Sequence, residues 1–191
     1  MIERFCPDEV HRSLSDIDLS KLWQQGIRGI ILDVDNTIVR WDSSVLPTET
    51  LEWIADAKER GFRLCIASNG VSRRVKALAR EMDIPAIAKA VKPRKKPFRS
   101  ALELLRTGPE ETMVIGDQVF TDVFGGNRLN LYTVLINPLG TKELRTTRLM
   151  RRLERSVIRR LHKKGYLSAH QLKSRQVTPK GKWQFLRGND R

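Results

Sequence analysis

The sequence predicts an α/β protein with a mainly parallel sheet, followed by a basic helical tail. Strand-sized apolar runs alternate with amphipathic helical patterns, and polar residues stand directly at the ends of the runs. Strands separated by helical stretches of about ten residues form βαβ units, whose strands are parallel. A third observation, the uneven distribution of charge, sets off the tail.

Residues 29–34 are a continuous apolar run that meets two aspartates, the pattern of a strand buried on both faces that ends at a site. Residues 48–60 follow as a helix with Leu51, Ile54, Ala55 and Ala57 inward, closed by Gly61. Residues 62–67 make a second strand in which Cys65 is a small core residue. Residues 71–82 make a second helix, with Val75, Leu78, Ala79 and Met82 on one face. A short strand is expected over 86–91, then a helix over 98–105 with Ala101, Leu102 and Leu105 inward. A strand over 112–115 ends at Gly116-Asp117, and 131–136 is the last strand.

The 191 residues suffice for one well-buried domain. The net charge of +14 is concentrated: residues 1–140 hold 20 Lys and Arg against 19 Asp and Glu, whereas residues 141–191 hold 16 against 3. The expected boundary is Asn137-Pro138-Leu139-Gly140, which divides a nearly neutral domain over 1–140 from a basic amphipathic extension over 141–191. No apolar run approaches the ~20 residues of a membrane span. The first residues lack the apolar core of a secretory signal. Two cysteines, Cys6 and Cys65, make neither a disulfide framework nor a zinc site, and His11, His162 and His170 stand in no ligand spacing. A cytoplasmic setting is the expectation.

Four polar features fall at strand ends: Asp33-Val34-Asp35-Asn36-Thr37, Ser68-Asn69-Gly70, Lys92-Pro93, and Gly116-Asp117 with Asp122 five residues on. In a parallel sheet, ligands bind at the carboxyl ends of strands. Together the four supply what phosphoryl transfer needs. Asp33 is a carboxylate nucleophile, and Asp35 is an acid/base two residues later, with Val34 turned to the opposite face. Ser68, nearby backbone amides and Lys92 donate to phosphoryl oxygens. So many carboxylates beside a phosphate require a hard divalent cation, for which Asp33 and Asp117 offer oxygen ligands, while Asp122 reads either as a further ligand or as a structural residue. Asn69 reads either as a further phosphate-binding residue or as a helix cap, as Ser68 also could. Asn127-Arg128 serves the fold or positions Asp122.

These motifs resemble the haloacid dehalogenase superfamily. Its DxDxT signature is met by Asp33-Val34-Asp35-Asn36-Thr37, its Ser/Thr motif by Ser68, its lysine motif by Lys92-Pro93, and its acidic motif by Gly116-Asp117…Asp122. The fuller pattern, Gly116-Asp117-Gln118…Thr121-Asp122-Val123…Gly125-Gly126-Asn127-Arg128, is similar to the YqeG-like branch of subfamily IIIA, over about residues 19–139. The resemblance implies a Rossmann-like three-layer α/β/α sandwich and a magnesium-dependent phosphatase. Asp33 would be the nucleophile, and Asp35 the acid/base that also lends its carbonyl to the metal. Ser68 and Lys92 would hold the phosphoryl group, and Asp117 would bind Mg2+. Relatives in that branch include phosphatases of phosphatidylglycerophosphate.

Only 34 residues separate Asp33 from Ser68, and 23 separate Ser68 from Lys92. Neither interval holds a sizeable cap domain, so the expected site is open and suited to a phosphate on something large, such as a lipid head group. Over 149–161 the tail carries an apolar stripe of Leu149, Met150, Leu153, Val157, Ile158 and Leu161 among arginines. Such a helix lies in an anionic membrane interface or packs on the body or a second subunit. Further on, Trp183 and Phe185 among basic residues suit a lipid interface or single-stranded RNA. The expected function is therefore a lipid phosphatase peripheral to a membrane. The alternatives are an RNA- or ribosome-associated protein on the same scaffold, or a phosphatase of polynucleotide ends or phosphoproteins.

Overall fold

The computed structural model describes residues 2–140 and 145–174, with side chains over 2–140 and 150–172. Six strands are present: β1 (Glu9–His11), β2 (Gly29–Leu32), β3 (Arg63–Ser68), β4 (Ala86–Ala88), β5 (Thr112–Gly116) and β6 (Tyr132–Ile136). The α-helices are α1 (Leu19–Gln24), α2 (Thr48–Glu59), α3 (Ser72–Glu81), α4 (Lys95–Leu105), α5 (Phe124–Asn127), α6 (Arg145–Lys163) and α7 (Ala169–Ser174). The strands form one sheet in the order β1-β6-β5-β2-β3-β4, and every pairing is parallel.

The sheet is covered on both faces, which gives the three-layer α/β/α sandwich. On one face Ile30, Leu32, Leu64, Ile66, Met113 and Ile115 pack with side chains of α1, α2 and α3. On the other, Ile31, Cys65, Ala67 and Val114 meet Phe98, Ala101 and Leu105 of α4. Central β2 is paired on both edges and buried on both faces, so its sequence is an unbroken apolar run rather than an alternation.

Several expectations need correction. On α2 the buried stripe is Thr50, Trp53, Ile54 and Ala57, whereas Leu51 and Ala55 face solvent. The indole of Trp53 has the larger area to bury and sets the helix's rotation. The strand after α3 stops at Ala88, because Lys89 and Val91 adopt left-handed backbone (φ 50° and 57°) that cannot continue a ladder. Strand β1 was not expected: only Val10 of its three residues is buried, too little for a periodic signal, and pairing with β6 defines it.

The basic tail meets the body. Ile158 and Leu161 of α6, with Leu167 beyond it, pack against Val10, Val119, Val123 and Leu135 on the α4 side of the sheet. The expected stripe is thus divided: Ile158 and Leu161 are inside, while Met150 and Leu153 are exposed. The Leu149 side chain and the Trp183 and Phe185 segment lie outside the described residues. No described helix is long and apolar enough to cross a membrane.

Candidate active site

The strand order places the site. From β2 the chain moves outward to β3 and β4, then crosses back to β5 on the other edge of β2. The loops leaving β2 and β5 therefore diverge, and a crevice opens at their carboxyl ends. Asp33 follows β2 and Asp117 follows β5, on adjacent strands.

The Asp33 backbone N–H donates to the Ile115 carbonyl at 3.0 Å, which extends the β2–β5 ladder to the site. Val34 points into the hydrophobic core, as alternation requires, so Asp33 and Asp35 lie off it. Asp33 is buried and held at both oxygens: Lys92 Nζ donates to Oδ1 at 2.6 Å, and Thr37 Oγ1 donates to Oδ2 at 3.2 Å. Lys92 Nζ also donates to Asp122 Oδ1 at 2.6 Å. Burial by itself would favour loss of the Lys92 proton, but the carboxylates of Asp122 and Asp33 reverse this and hold its pKa above the ordinary lysine value.

Asp122 reaches the cluster through a π-helical turn, Val119–Val123, just after β5. Its Oδ2 accepts from the Gln118 N–H at 3.2 Å. Gly116 is required for this approach, because a Cβ there would overlap the Asp122 carboxyl group. Asp33, Asp117 and Asp122 are all buried, and each offers a carboxylate oxygen within 4.8 Å of the others. Burial raises the carboxyl pKa values of Asp117 and Asp122. Arg151 and Lys92 respectively oppose the rise, and the neighbouring carboxylates add to it.

The other expected residues are here too, some with different partners. Ser68 is buried at the end of β3, and its Oγ accepts from the Gly70 N–H at 3.0 Å; it makes a local turn and does not cap α3, whose N-cap is Val71. Gly70 lies close to this hydroxyl and to Asp35: a Cβ there would be 3.1 Å from both Ser68 Oγ and Asp35 Oδ2. Asn69 braces Lys92, accepting from its N–H at 2.7 Å and donating to its carbonyl at 3.2 Å. Its expected place in phosphate binding therefore runs through Lys92. Arg128 donates to the Pro93 carbonyl at 3.0 Å, and Asn127 donates to the carbonyls of Arg4 and Cys6, so both serve the fold.

Three side chains at the site were not anticipated. Arg74 on α3 pairs with Asp35 Oδ1 and also donates to the carbonyls of Ser43 and Arg40, tying the loop after β2 to α3. Arg151 on α6 donates to both the carboxylate and the backbone carbonyl of Asp117. Glu154, one turn on, pairs with Arg151 at 3.2 Å and accepts from the N–H groups of Val119 and Phe120 at 2.7 and 3.4 Å. The pair thus grips the 117–120 turn from both ends. The one sequence signal for it was an acidic residue, Glu154, in a run of arginines.

Among the described residues, four buried carboxylates (Asp33, Asp117, Asp122, Glu154) face two buried cations (Lys92, Arg151). The all-oxygen donor set of Asp33, Asp117 and Asp122 fits one hard divalent cation.

Comparison with known proteins agrees with this geometry. A family model for haloacid dehalogenase-like hydrolases matches residues 41–130. The probable phosphatase YqeG of Bacillus subtilis is 39% identical over 163 residues, covering 85% of this chain and 95% of that protein. Phosphatidylglycerophosphate phosphatase 1 of Arabidopsis thaliana, chloroplastic/mitochondrial, is 30% identical over 171 residues, covering 81% of this chain but only 48% of that protein. The crystal structure of a HAD phosphatase from Thermococcus onnurineus shares the fold at a TM-score of 0.53 and 16% identity, over 62% of this chain and 90% of that one. An uncharacterized protein from Listeria monocytogenes does so at 0.50 and 19%, over 62% and 85%. The chain belongs to the haloacid dehalogenase-like hydrolases, where it stands beside YqeG.

Proposed function

We propose that the protein is a magnesium-dependent phosphatase that passes the phosphoryl group of a phosphate monoester to Asp33 and from there to water. The state of the Asp33 carboxylate carries this reading: it is buried, oriented at both oxygens by Lys92 and Thr37, and grouped with Asp117 and Asp122. A nucleophile fixed in this way needs little reorganisation on reaction. Asp33, Asp117, Asp122 and the Asp35 carbonyl would hold the magnesium ion, which supplies positive charge to the transferring phosphoryl oxygens.

Within that frame the chain's own groups account for both half-reactions. An Asp33 oxygen attacks phosphorus and the bond to the leaving alcohol oxygen breaks. Asp35 acts as the general acid toward that leaving oxygen, through the carboxyl oxygen that Arg74 does not bond. Water then attacks the aspartyl-phosphate, Asp35 takes the water's proton, and the bond from phosphorus to Asp33 breaks. The Ser68 hydroxyl and the Lys92 ammonium hold the phosphoryl oxygens, with Asn69 fixing the Lys92 backbone.

For the substrate we infer phosphatidylglycerophosphate presented at a membrane surface. The similarity to the Arabidopsis enzyme supports this, as does the connection from β2 to β3, which holds one loop and α2 and no inserted domain. The basic residues of 141–191 add attraction to anionic lipid. Purified protein with Mg2+ should release phosphate from this lipid in mixed micelles, and Asp33→Asn should lower the rate by roughly 10⁴-fold or more. Turnover of soluble phosphate esters without release from the lipid would leave the phosphatase and remove the substrate.

A further inference from the structure

Among the described residues nine large apolar side chains are exposed; four of them lie in loops that carry or touch site residues, and two more stand on α6. Val45, 79% exposed, lies in the loop that Arg74 ties to Asp35. Val71, 71% exposed, follows Gly70, and Val91, 54% exposed, precedes Lys92. Leu139 follows β6, and its N–H donates to the Asn36 carbonyl at 2.9 Å. Met150 and Leu153 are exposed on α6, the helix that carries Arg151.

Local folding does not call for these residues. Val71 holds the N-cap of α3, where a serine, threonine or aspartate would satisfy a free N–H. Val91 has φ 57°, a conformation that β-branched residues rarely adopt and that glycine or asparagine would take more easily. Apolar tips are thus held out into solvent at positions better suited to polar residues or glycine.

The same segments are basic. Arg73, Lys89, Arg94, Lys96 and Arg152 are exposed on them, and the acidic Asp42 is paired with Arg40 at 2.8 Å. The buried apolar side of α6 cannot supply a membrane face, because Ile158 and Leu161 are packed on the body.

We propose that the rim of the active site docks on an anionic phospholipid bilayer. The aliphatic tips enter the headgroup boundary, and the surrounding cations meet lipid phosphates. A bilayer fits better than RNA because aliphatic tips offer no flat face on which bases stack. The inference rests on the lipid-phosphatase reading and deepens it: the mouth of the site faces the membrane, so a head-group phosphate reaches Asp33 while its acyl chains stay in the bilayer.

The test uses the full chain and sedimentation with vesicles of phosphatidylglycerol and phosphatidylcholine, or of phosphatidylcholine alone. The parent protein should partition onto the anionic vesicles. The double variant Val45→Glu/Val91→Asn should bind them about tenfold more weakly, with turnover of para-nitrophenyl phosphate kept within about twofold. Met150→Gln/Leu153→Gln, on a separate element, should weaken partitioning in the same direction. Vesicle binding unchanged in both double variants would overturn the proposal, as would a parent that binds single-stranded RNA and ignores the vesicles. Rim-dependent vesicle binding without phosphate release from phosphatidylglycerophosphate would overturn the substrate alone. Hydrolysis of that lipid with partitioning unchanged in the variants would overturn the docking alone.

Discussion

Lys92 and Arg151 are two buried cations, each set between two carboxylates. Lys92 joins Asp33 to Asp122 inside the buried acidic cluster. Arg151 joins Asp117 to Glu154 at the cluster's outer side, and Glu154 also receives the backbone of the next turn. Lys92 touches Asp33, the proposed nucleophile, whereas Arg151 touches Asp117, the loop that carries it, and Glu154. The difference separates two tasks that a charge count would merge. One cation is bonded to Asp33 within the acidic cluster, where the proposed function would have it meet the phosphoryl group, and the other closes the loop around that cluster.

Replacing Lys92 should have the larger effect. Lys92→Met leaves Asp33 and Asp122 without that cation, and removing one partner from a buried ion pair costs about 3–5 kcal/mol. Turnover of para-nitrophenyl phosphate should also fall roughly 10³-fold, since a charged donor to the reacting group is gone. Urea unfolding and steady-state kinetics read the two losses separately.

Arg151→Met should cost about the same stability, about 3–5 kcal/mol, because Asp117 and Glu154 lose a buried cation. Its effect on turnover should be smaller, about 10–100-fold, as for residues that orient a metal ligand from behind. Arg151→Lys should restore part of both, since an ammonium cannot reproduce the fork that spans the Asp117 carbonyl and carboxylate. A rate loss equal to that of Lys92→Met would end the distinction and put Arg151 in contact with substrate. Unchanged urea stability would mean that α6 does not clamp the turn.

The smallest effect concerns pH. Burial pushes the Asp117 and Asp122 carboxyl groups up from 3.8, to about 7 and about 6, against the pull of Arg151 and Lys92. Carboxyls raised on folding stabilise the ion-free protein at low pH, and this contribution is lost as pH rises through the folded values. A divalent ion must displace those protons, so its affinity should strengthen from about pH 4 to about pH 7 and then level off. Calorimetric titration with Mg2+ across that range checks the sign. A flat profile would show that the two cations already keep both carboxylates ionised.

The expected site residues assembled because each is tied to a strand end, and strand ends are legible where apolar runs meet polar residues. Asp33 and Asp117 follow runs that are buried in full, Ser68 closes a strand exposed at Arg63, and parallel pairing brings the three to one edge. Asp122 came with the acidic motif, although the π turn that delivers it leaves no periodic trace. Asn69 was chemically ambiguous because an amide can bind a phosphate or a backbone, and here both of its ends take the Lys92 backbone. Arg74 was one arginine on a helix with several, and only the packing of the loop after β2 selects it.

By itself the sequence determined the layered parallel fold and which polar residues gather at the strand ends, because apolar runs and the polar residues at their ends are local patterns that survive in one dimension. Tertiary structure decided the partners of the basic tail. Arg151 lies 34 positions from Asp117, and no spacing rule links a residue of a distant helix to a strand end. Its choice among so many arginines came from the docking of Ile158 and Leu161 on the sheet, which turns one side of α6 toward the acidic turn. Packing geometry made that selection, as it made the exposed rim around the site.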